Sequence, residues 1–98
     1  AGVIGYRDSF GNLKTTFRAS DLRLQNLEPG QKFDIIINGI SRRVRAATGS
    51  FNVDEGEIAF SLGSSGHKNR FWEVFQRGGN AWATYGRPRV GAEVKLVL

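Results

Sequence analysis

Short runs in which apolar and polar residues alternate recur along the whole chain, and this pattern is typical of β-strands that bury one face. The run that follows Asn38-Gly39 places Val44 and Ala46 on one side, and Arg43 and Arg45 on the other. Such mixed alternation predicts a sheet with one face exposed to water. Six or seven short strands are predicted, at residues 3–7, 13–17, 32–37, 40–46, 57–62, 71–76 and 92–98.

Turn residues separate these runs. Asn38-Gly39 predicts a two-residue β-hairpin, because both positions of such a turn need positive φ, which Asn and Gly tolerate. Residues 8–12, Asp-Ser-Phe-Gly-Asn, also favour a turn, since Asp, Ser and Asn can bond their own backbone. The sequence therefore predicts strands joined by tight turns.

Two short segments have helical character. Residues 20–27 could form one or two turns, with Ser20 as the cap, Asp21 in the first turn, and Leu24 and Leu27 on one face. Residues 81–85 are predicted to form a second short helix, capped by residues 78–80, Gly-Gly-Asn. Residues 1–98 are thus predicted to be a single, mostly β domain, a small barrel or sandwich rather than a parallel sheet.

Composition limits the function. The 98 residues contain no cysteine, which excludes disulfides and thiolate metal sites, and no apolar run is long enough for a membrane span. With no signal peptide visible either, we expect a cytoplasmic protein. A net charge of +5 favours anionic partners, although simple solubility explains it as well.

Residues that could carry chemistry are few. His67, the single histidine, has no nucleophile pattern beside it, so we interpret it as solvated. Asp54 and Glu55 are adjacent in a turn and are interpreted as structural. The segment 63–66, Gly-Ser-Ser-Gly, lets the backbone approach a carboxylate or phosphate. We therefore predict no catalytic residue and no metal site.

Basic and aromatic residues alternate between positions 70 and 89, which suggests a stacking platform for single-stranded nucleic acid. The opposing interpretation is that most of these aromatic residues belong to the core. The residues concerned are Arg70, Phe71, Trp72, Phe75, Arg77, Trp82, Tyr85, Arg87 and Arg89.

Several motifs resemble, in order, the C-terminal domain of the S-adenosylmethionine hydroxide adenosyltransferases, the relatives of the fluorinase and chlorinase. Residues 8–17 resemble the family's Asp-x-Phe-Gly-Asn-x-x-Thr-Asn-Ile segment, and residues 51–57 its Phe-x-x-Val-x-x-Gly segment. Residues 61–66 are similar to its Asn-Ser-Ser-Gly loop, residues 72–81 to its strand followed by Gly-Asn-Ala, and residues 91–94 to its closing Gly-Asp-x-Val strand.

The resemblance implies a small antiparallel β-barrel that supplies half of a shared site. In the family, S-adenosylmethionine is the substrate, no metal or prosthetic group is used, and the nucleophile is activated by an N-terminal α/β domain. That domain belongs to the same or a neighbouring subunit, usually in a trimer. By position, the ligand-binding residues would be Phe10, Asn12, Phe51, Ser64, Ser65, Phe75 and Arg77.

The resemblance implies a specific role for most of these residues, and Phe10 would lie at the ligand beside Asn12. Asn12 would offer its amide to the adenine, Phe51 would flank the ring, and the backbone of residues 75–77 would read the adenine edge. Ser64 and Ser65 would approach the amino-acid end of the ligand.

Three departures from the family pattern affect the ligand contacts. Gly63 and Thr16 stand where the family has Asn, and residues 67–70 look like an insertion. These changes should weaken binding of the methionine part more than binding of adenosine.

The leading hypothesis is an adenosyl-binding barrel that is inactive on its own. The alternatives are a basic barrel that binds single-stranded nucleic acid, or an assembly module with an exposed Trp72 or Trp82.

Overall fold

The computed structural model describes residues 2–47, 53–63 and 70–98. These described residues contain seven strands and two one-turn helices. In order, they are β1 (Gly2–Arg7), β2 (Leu13–Arg18), α1 (Leu22–Gln25), β3 (Lys32–Ile37), β4 (Ile40–Ala46), β5 (Ile58–Leu62), β6 (Phe71–Gln76), α2 (Ala81–Thr84) and β7 (Glu93–Val97). All seven predicted strands are confirmed.

The strands form one closed barrel with the order β1-β2-β6-β5-β4-β3-β7. The mainly β fold class, with a small barrel and two short helices, is therefore confirmed. One pairing departs from the antiparallel expectation, because β4 and β5 run parallel while the other six pairs are antiparallel. Ile58 pairs with Val44 and Phe60 with Ala46, so β5 runs beside the second half of β4 in the same direction.

The predicted hairpin turn is confirmed, since Asn38 and Gly39 have φ of 50° and 80° between paired Ile37 and Ile40. The predicted cap of α1 was wrong by one residue. Asp21, rather than Ser20, accepts a hydrogen bond from the Arg23 N–H and is the N-cap. The aspartate carboxylate also pairs with the Arg23 guanidinium, which favours this register.

The barrel interior holds the alternating apolar residues predicted from the sequence. Phe60 lies near its centre, stacked on Trp72 with ring centroids 4.8 Å apart and edge-on to Phe33 at 5.8 Å. Helix α1 follows the end of β2 and α2 follows the end of β6, and these strands are antiparallel, so the helices lie at opposite ends of the barrel. Leu24 and Tyr85 are buried at these two ends.

A second, smaller apolar cluster lies outside the barrel. Ala47 and Val53, on either side of the connection from β4, pack against Ala59 of β5 and Phe75 of β6. The outward faces of these two strands are therefore partly covered.

Tyr85 provides a test of the α2 end of the barrel. Its side chain is fully buried, and its hydroxyl donates to the Ile35 carbonyl at 3.0 Å. We expect Tyr85→Phe to lower the free energy of unfolding by about 1–2 kcal/mol at neutral pH, because the Ile35 carbonyl loses its buried donor. Urea titration would measure this loss, and an unchanged midpoint would contradict the prediction.

The same residue predicts a pH dependence. Burial raises the pKa of the Tyr85 phenol in the folded protein well above its ordinary value of 10.0. The unfolded chain therefore releases this proton first, so the contribution is complete below about pH 10 and is lost as the pH rises further. The stability difference between the native protein and Tyr85→Phe should shrink or reverse above pH 10, as urea titrations at pH 8 and pH 11 would show.

Candidate functional site

The turn between β1 and β2 is organised by one carboxylate. Asp8 Oδ1 accepts hydrogen bonds from the backbone N–H groups of Phe10 (2.9 Å) and Asn12 (3.0 Å). Asp8 Oδ2 accepts from the Asn12 side-chain Nδ2 at 3.0 Å. This places the predicted site residues Phe10 and Asn12 in one fixed turn, with the Asn12 Oδ1 atom left to accept a hydrogen bond.

Phe10 presents its ring to solvent although its backbone is fixed. Its side chain is 77% exposed, which is unusual for an aromatic residue on a small domain. A ring held on a rigid turn loses little conformational freedom on binding, so it suits stacking on a planar ligand.

Helix α2 contacts the turn through its first residues. The backbone N–H of Trp82 donates to the Gly11 carbonyl at 2.9 Å, and the Asn80 side chain lies directly against Gly11. Asn80 Oδ1 also accepts from the Ala83 N–H and caps α2, which confirms the predicted cap. Gly11 has φ of 82° and no room for a side chain, so the turn and the helix are fitted to each other.

The end of β6 runs beside this turn. The pairing of Leu13 with Val74 places Asn12 next to Phe75 across the two strands. The Phe75 side chain packs into the second cluster, so it is its backbone that faces the site region. Phe10, Asn12 and Phe75 are therefore brought to the same end of the barrel.

Arg77 is held by several contacts. Its backbone N–H donates to the Glu57 carbonyl at 3.0 Å, and its carbonyl accepts from the Gly56 N–H at 2.7 Å. Its Nη1 donates to the Val53 carbonyl at 2.7 Å. A ligand contact by Arg77 would therefore use the other guanidinium N–H groups rather than its backbone.

Three predicted site residues, Phe51, Ser64 and Ser65, lie outside the described residues, as does His67. Gly63, which precedes the Ser-Ser pair, lies beneath the Glu73 carboxyl group, 2.4 Å from where a Cβ would be. Glu73 pairs with Lys14 at 3.2 Å. An asparagine at position 63 would therefore require the end of the Glu73 side chain to move.

The sequence analysis named Asp8 for a turn and Asn80 for a helix cap, but it did not include either in the candidate site, where Asp8 organises the turn and Asn80 contacts Gly11. Trp82 makes a cation–π contact, since the Arg7 guanidinium lies 3.9 Å from its ring centroid. Asp8 and Asn80 fall inside the quoted motifs, but only the fold brings them together.

Much of the aromatic platform predicted for nucleic acid is unavailable. Trp72 is 8% exposed and stacked inside the barrel, and Tyr85 is fully buried. Neither can stack on a base, because their rings are used in the core. Trp82 is half-buried, and its Nε1 donates to the Pro88 carbonyl.

Among the described ranges, no group of three or more His, Asp or Glu side chains is arranged to hold a metal ion. Within the same ranges, neither helix has the length and apolar character needed to cross a membrane.

No family model matches the chain, and no curated protein matches it. Solved structures do match. An uncharacterised conserved protein of Thermotoga maritima is 22% identical over 99% of this chain, with a TM-score of 0.85. A conserved hypothetical protein of Thermus thermophilus is 28% identical over 98% of this chain, with a TM-score of 0.67. The chain spans about a third of the length of each, 35% and 34%, so the likeness is one of fold to part of a longer protein.

Proposed function

We propose that this chain is the adenosyl-binding barrel of an S-adenosylmethionine hydrolase-like enzyme. The observation that carries the proposal is the turn ordered by Asp8. This turn presents the exposed Phe10 ring and the side-chain oxygen Oδ1 of Asn12 at one end of the barrel. A purine offers the complementary features, since it has a flat face to stack on Phe10 and an exocyclic amino group to donate to Asn12.

The reaction would need a second domain. Water would attack the 5′-carbon of S-adenosylmethionine, a C–O bond would form as the C–S bond breaks, and methionine would leave while the proton of water passes to solvent. We assign no residue of this barrel to activation of the water. The two similar crystal structures, in which the matched region is about a third of the chain, have the room that an additional domain requires. We place that α/β domain on a neighbouring subunit, as in a trimer.

The ligand site is tested by adenosine binding to Phe10→Ala. We expect affinity to fall about tenfold, because stacking of a base on an aromatic ring contributes on the order of 1–3 kcal/mol. Leu22→Ala is the matched control, since Leu22 is also 77% exposed but belongs to α1 at the other end of the barrel. Isothermal titration would measure both variants.

Two results would count against the proposal. If Phe10→Ala and Leu22→Ala bind adenosine equally well, Phe10 is not part of the site. If the isolated chain releases adenosine from S-adenosylmethionine above background, the barrel is not an inactive half-site.

One observation favours a second candidate function, binding of single-stranded nucleic acid. Tyr6 and Phe71 line one open groove on the outer face of β1, β2 and β6, and the Arg18 guanidinium lies 4.0 Å from the Phe71 ring centroid. Basic side chains beside accessible rings are typical of single-strand binding surfaces. Oligonucleotide binding that weakens steeply with salt would support this candidate, whereas adenosine binding should respond little.

A further inference from the structure

The first half of β4 has an unpaired edge. Strand β5 begins opposite Val44, so residues 40–43 have β3 on one side and no strand of the described residues on the other. The chain before β5 turns away towards β6, since the Gly56 N–H donates to the Arg77 carbonyl. An opening is thereby left in the wall of the barrel beside α2.

The direction of the backbone groups at this edge follows from the hairpin. In the tight turn after Ile37, alternate residues of β4 bond to β3, and the residues between them point the other way. The far end of β4 shows this alternation, because the Ala46 N–H donates to Gln31 on the β3 side while the Ala47 N–H donates to Phe60 on the β5 side. The N–H groups of Ser41 and Arg43 therefore point into the opening.

Carbonyl acceptors are scarce at this edge. The Ser41 carbonyl accepts the Arg42 guanidinium at 2.9 Å, and the Arg43 carbonyl lies at the start of the ladder with β5. The backbone here thus offers two donors and few acceptors.

The opening leads into a groove of about 410 Å³ that is rich in donors. The charged residues lining it are four cations, Lys32, Arg42, Arg43 and Arg45, and the carboxylate of Glu57. Thr84 and Gln76 form the opposite wall. None of the four described residues of the candidate adenosyl site lines this groove.

Two of the cations have carboxylate partners, which neutralise part of the positive charge of the groove. Arg43 pairs with Asp34 at 3.1 Å, and Arg45 pairs with Glu57 at 3.1 Å. The hydrogen bond from the Asp54 N–H holds the pKa of the Glu57 carboxyl below its usual range, and the Arg45 guanidinium adds to this effect. Glu57 is therefore charged at neutral pH. Four cations and two carboxylates leave a net charge of +2.

Arg45 also carries a donor with no acceptor. Its Nε atom is buried and has no hydrogen-bond partner in the part of the chain that the structure describes. Lys32 and Arg42 are in no ion pair within those residues. A buried donor without an acceptor costs on the order of 1–3 kcal/mol, so Arg45 would gain from a rearrangement that brings its Nε an acceptor.

We propose that this groove is a binding site for a phosphoryl group, either inorganic phosphate or a small phosphate monoester. A phosphate carries about −1.5 to −2 charges at pH 7 and several strong acceptor oxygens, which matches the net charge of +2 and the surplus of donors. Arginine forks and strand N–H groups bind such oxygens well. A carboxylate brings about half the charge and binds more weakly.

The alternative explanation is protective. Basic side chains on an open edge can simply prevent pairing with other chains. That role does not require the Ser41 and Arg43 N–H groups to point into the opening, whereas phosphate binding uses them.

The test is a titration of the whole chain with inorganic phosphate, followed by NMR of the backbone N–H groups and the arginine Nε–H groups. We expect saturable shifts at Ser41, Arg43 and the Arg45 Nε, and smaller shifts with acetate at equal ionic strength. Shifts of equal size at Arg7, Arg18 and Arg87 would show unspecific attraction and overturn the proposal. The absence of saturable shifts would do the same.

Two variants sharpen the test. Arg42→Ala should weaken phosphate binding about tenfold, which corresponds to 1.4 kcal/mol. Arg89→Ala, which removes an exposed arginine outside the groove, should change it less than twofold. Lys32→Ala repeats the test at a second exposed position if Arg42→Ala folds poorly, as circular dichroism would show. Equal effects of Arg42→Ala and Arg89→Ala, or tighter binding of an oligothymidylate at the same atoms, would overturn the proposal.

Discussion

Replacing Phe60 with alanine should lower the free energy of unfolding by about 3–5 kcal/mol, because the change removes a large side chain from the middle of a closed core. Phe60 is fully buried and contacts both Trp72 and Phe33 through ring faces and edges. The seven strands are joined by hydrogen bonds into a closed barrel, so they cannot simply move inward to fill the space. Domains of this size are stable by about 5–15 kcal/mol, and the loss is a large fraction of that total.

Phe60→Leu is the appropriate comparison. Leucine keeps much of the volume but loses the aromatic contacts, so we expect a cost below that of alanine, about 1–2 kcal/mol. Urea unfolding followed by Trp fluorescence would measure both, since Trp72 stacks on the altered residue. Similar midpoints for the native protein and Phe60→Ala would show that Phe60 does not anchor the core.

Gly11→Ala should cost about 1.5–3 kcal/mol and should disturb the candidate site as well. Alanine at φ of 82° is strained by about 1 kcal/mol, and its Cβ would lie 2.0 Å from the Asn80 Oδ1 atom. Asn80 would have to leave its capping position, and loss of a cap costs roughly 0.5–2 kcal/mol. Thermal unfolding and adenosine titration would report the two effects.

Gly30→Ala separates strain from collision. Gly30 has φ of 89° and nothing within 4 Å of its absent Cβ, so only the backbone strain of about 1 kcal/mol should appear. In an Asn80→Ala background, Gly11→Ala should cost no more than Gly30→Ala does in the native chain. If Gly11→Ala and Gly30→Ala are equally destabilising without that background change, the contact between the turn and α2 does not constrain the fold.

Local physics explains why most of the fold could be predicted. Asn38 and Gly39 specify their turn within two residues, and the alternation of Val44 and Ala46 with Arg43 and Arg45 specifies which face of β4 is buried. The parallel pairing of β4 with β5 could not be predicted in this way. It depends on how the barrel closes around its core, which no local pattern encodes.

The candidate site was predictable to a lesser degree. Residues 8–12 carry turn chemistry in their side chains, so the turn itself could be predicted. The contact of Gly11 with Asn80 joins residues far apart in the chain and became visible only in the fold. The same applies to Trp72 and Trp82, since nothing in their neighbouring residues indicates that the first is buried and the second half-buried.

The second apolar cluster, which covers the outer face of β5, has a consequence for amide hydrogen exchange. Ile58, Ala59 and Phe60 are buried in succession, so this strand is protected on both faces, unlike strands that alternate between core and water. Amide hydrogens of the β5–β6 ladder should therefore exchange only when the whole domain unfolds. The candidate adenosyl site thus lies beside the end of a strand pair that we expect to exchange most slowly.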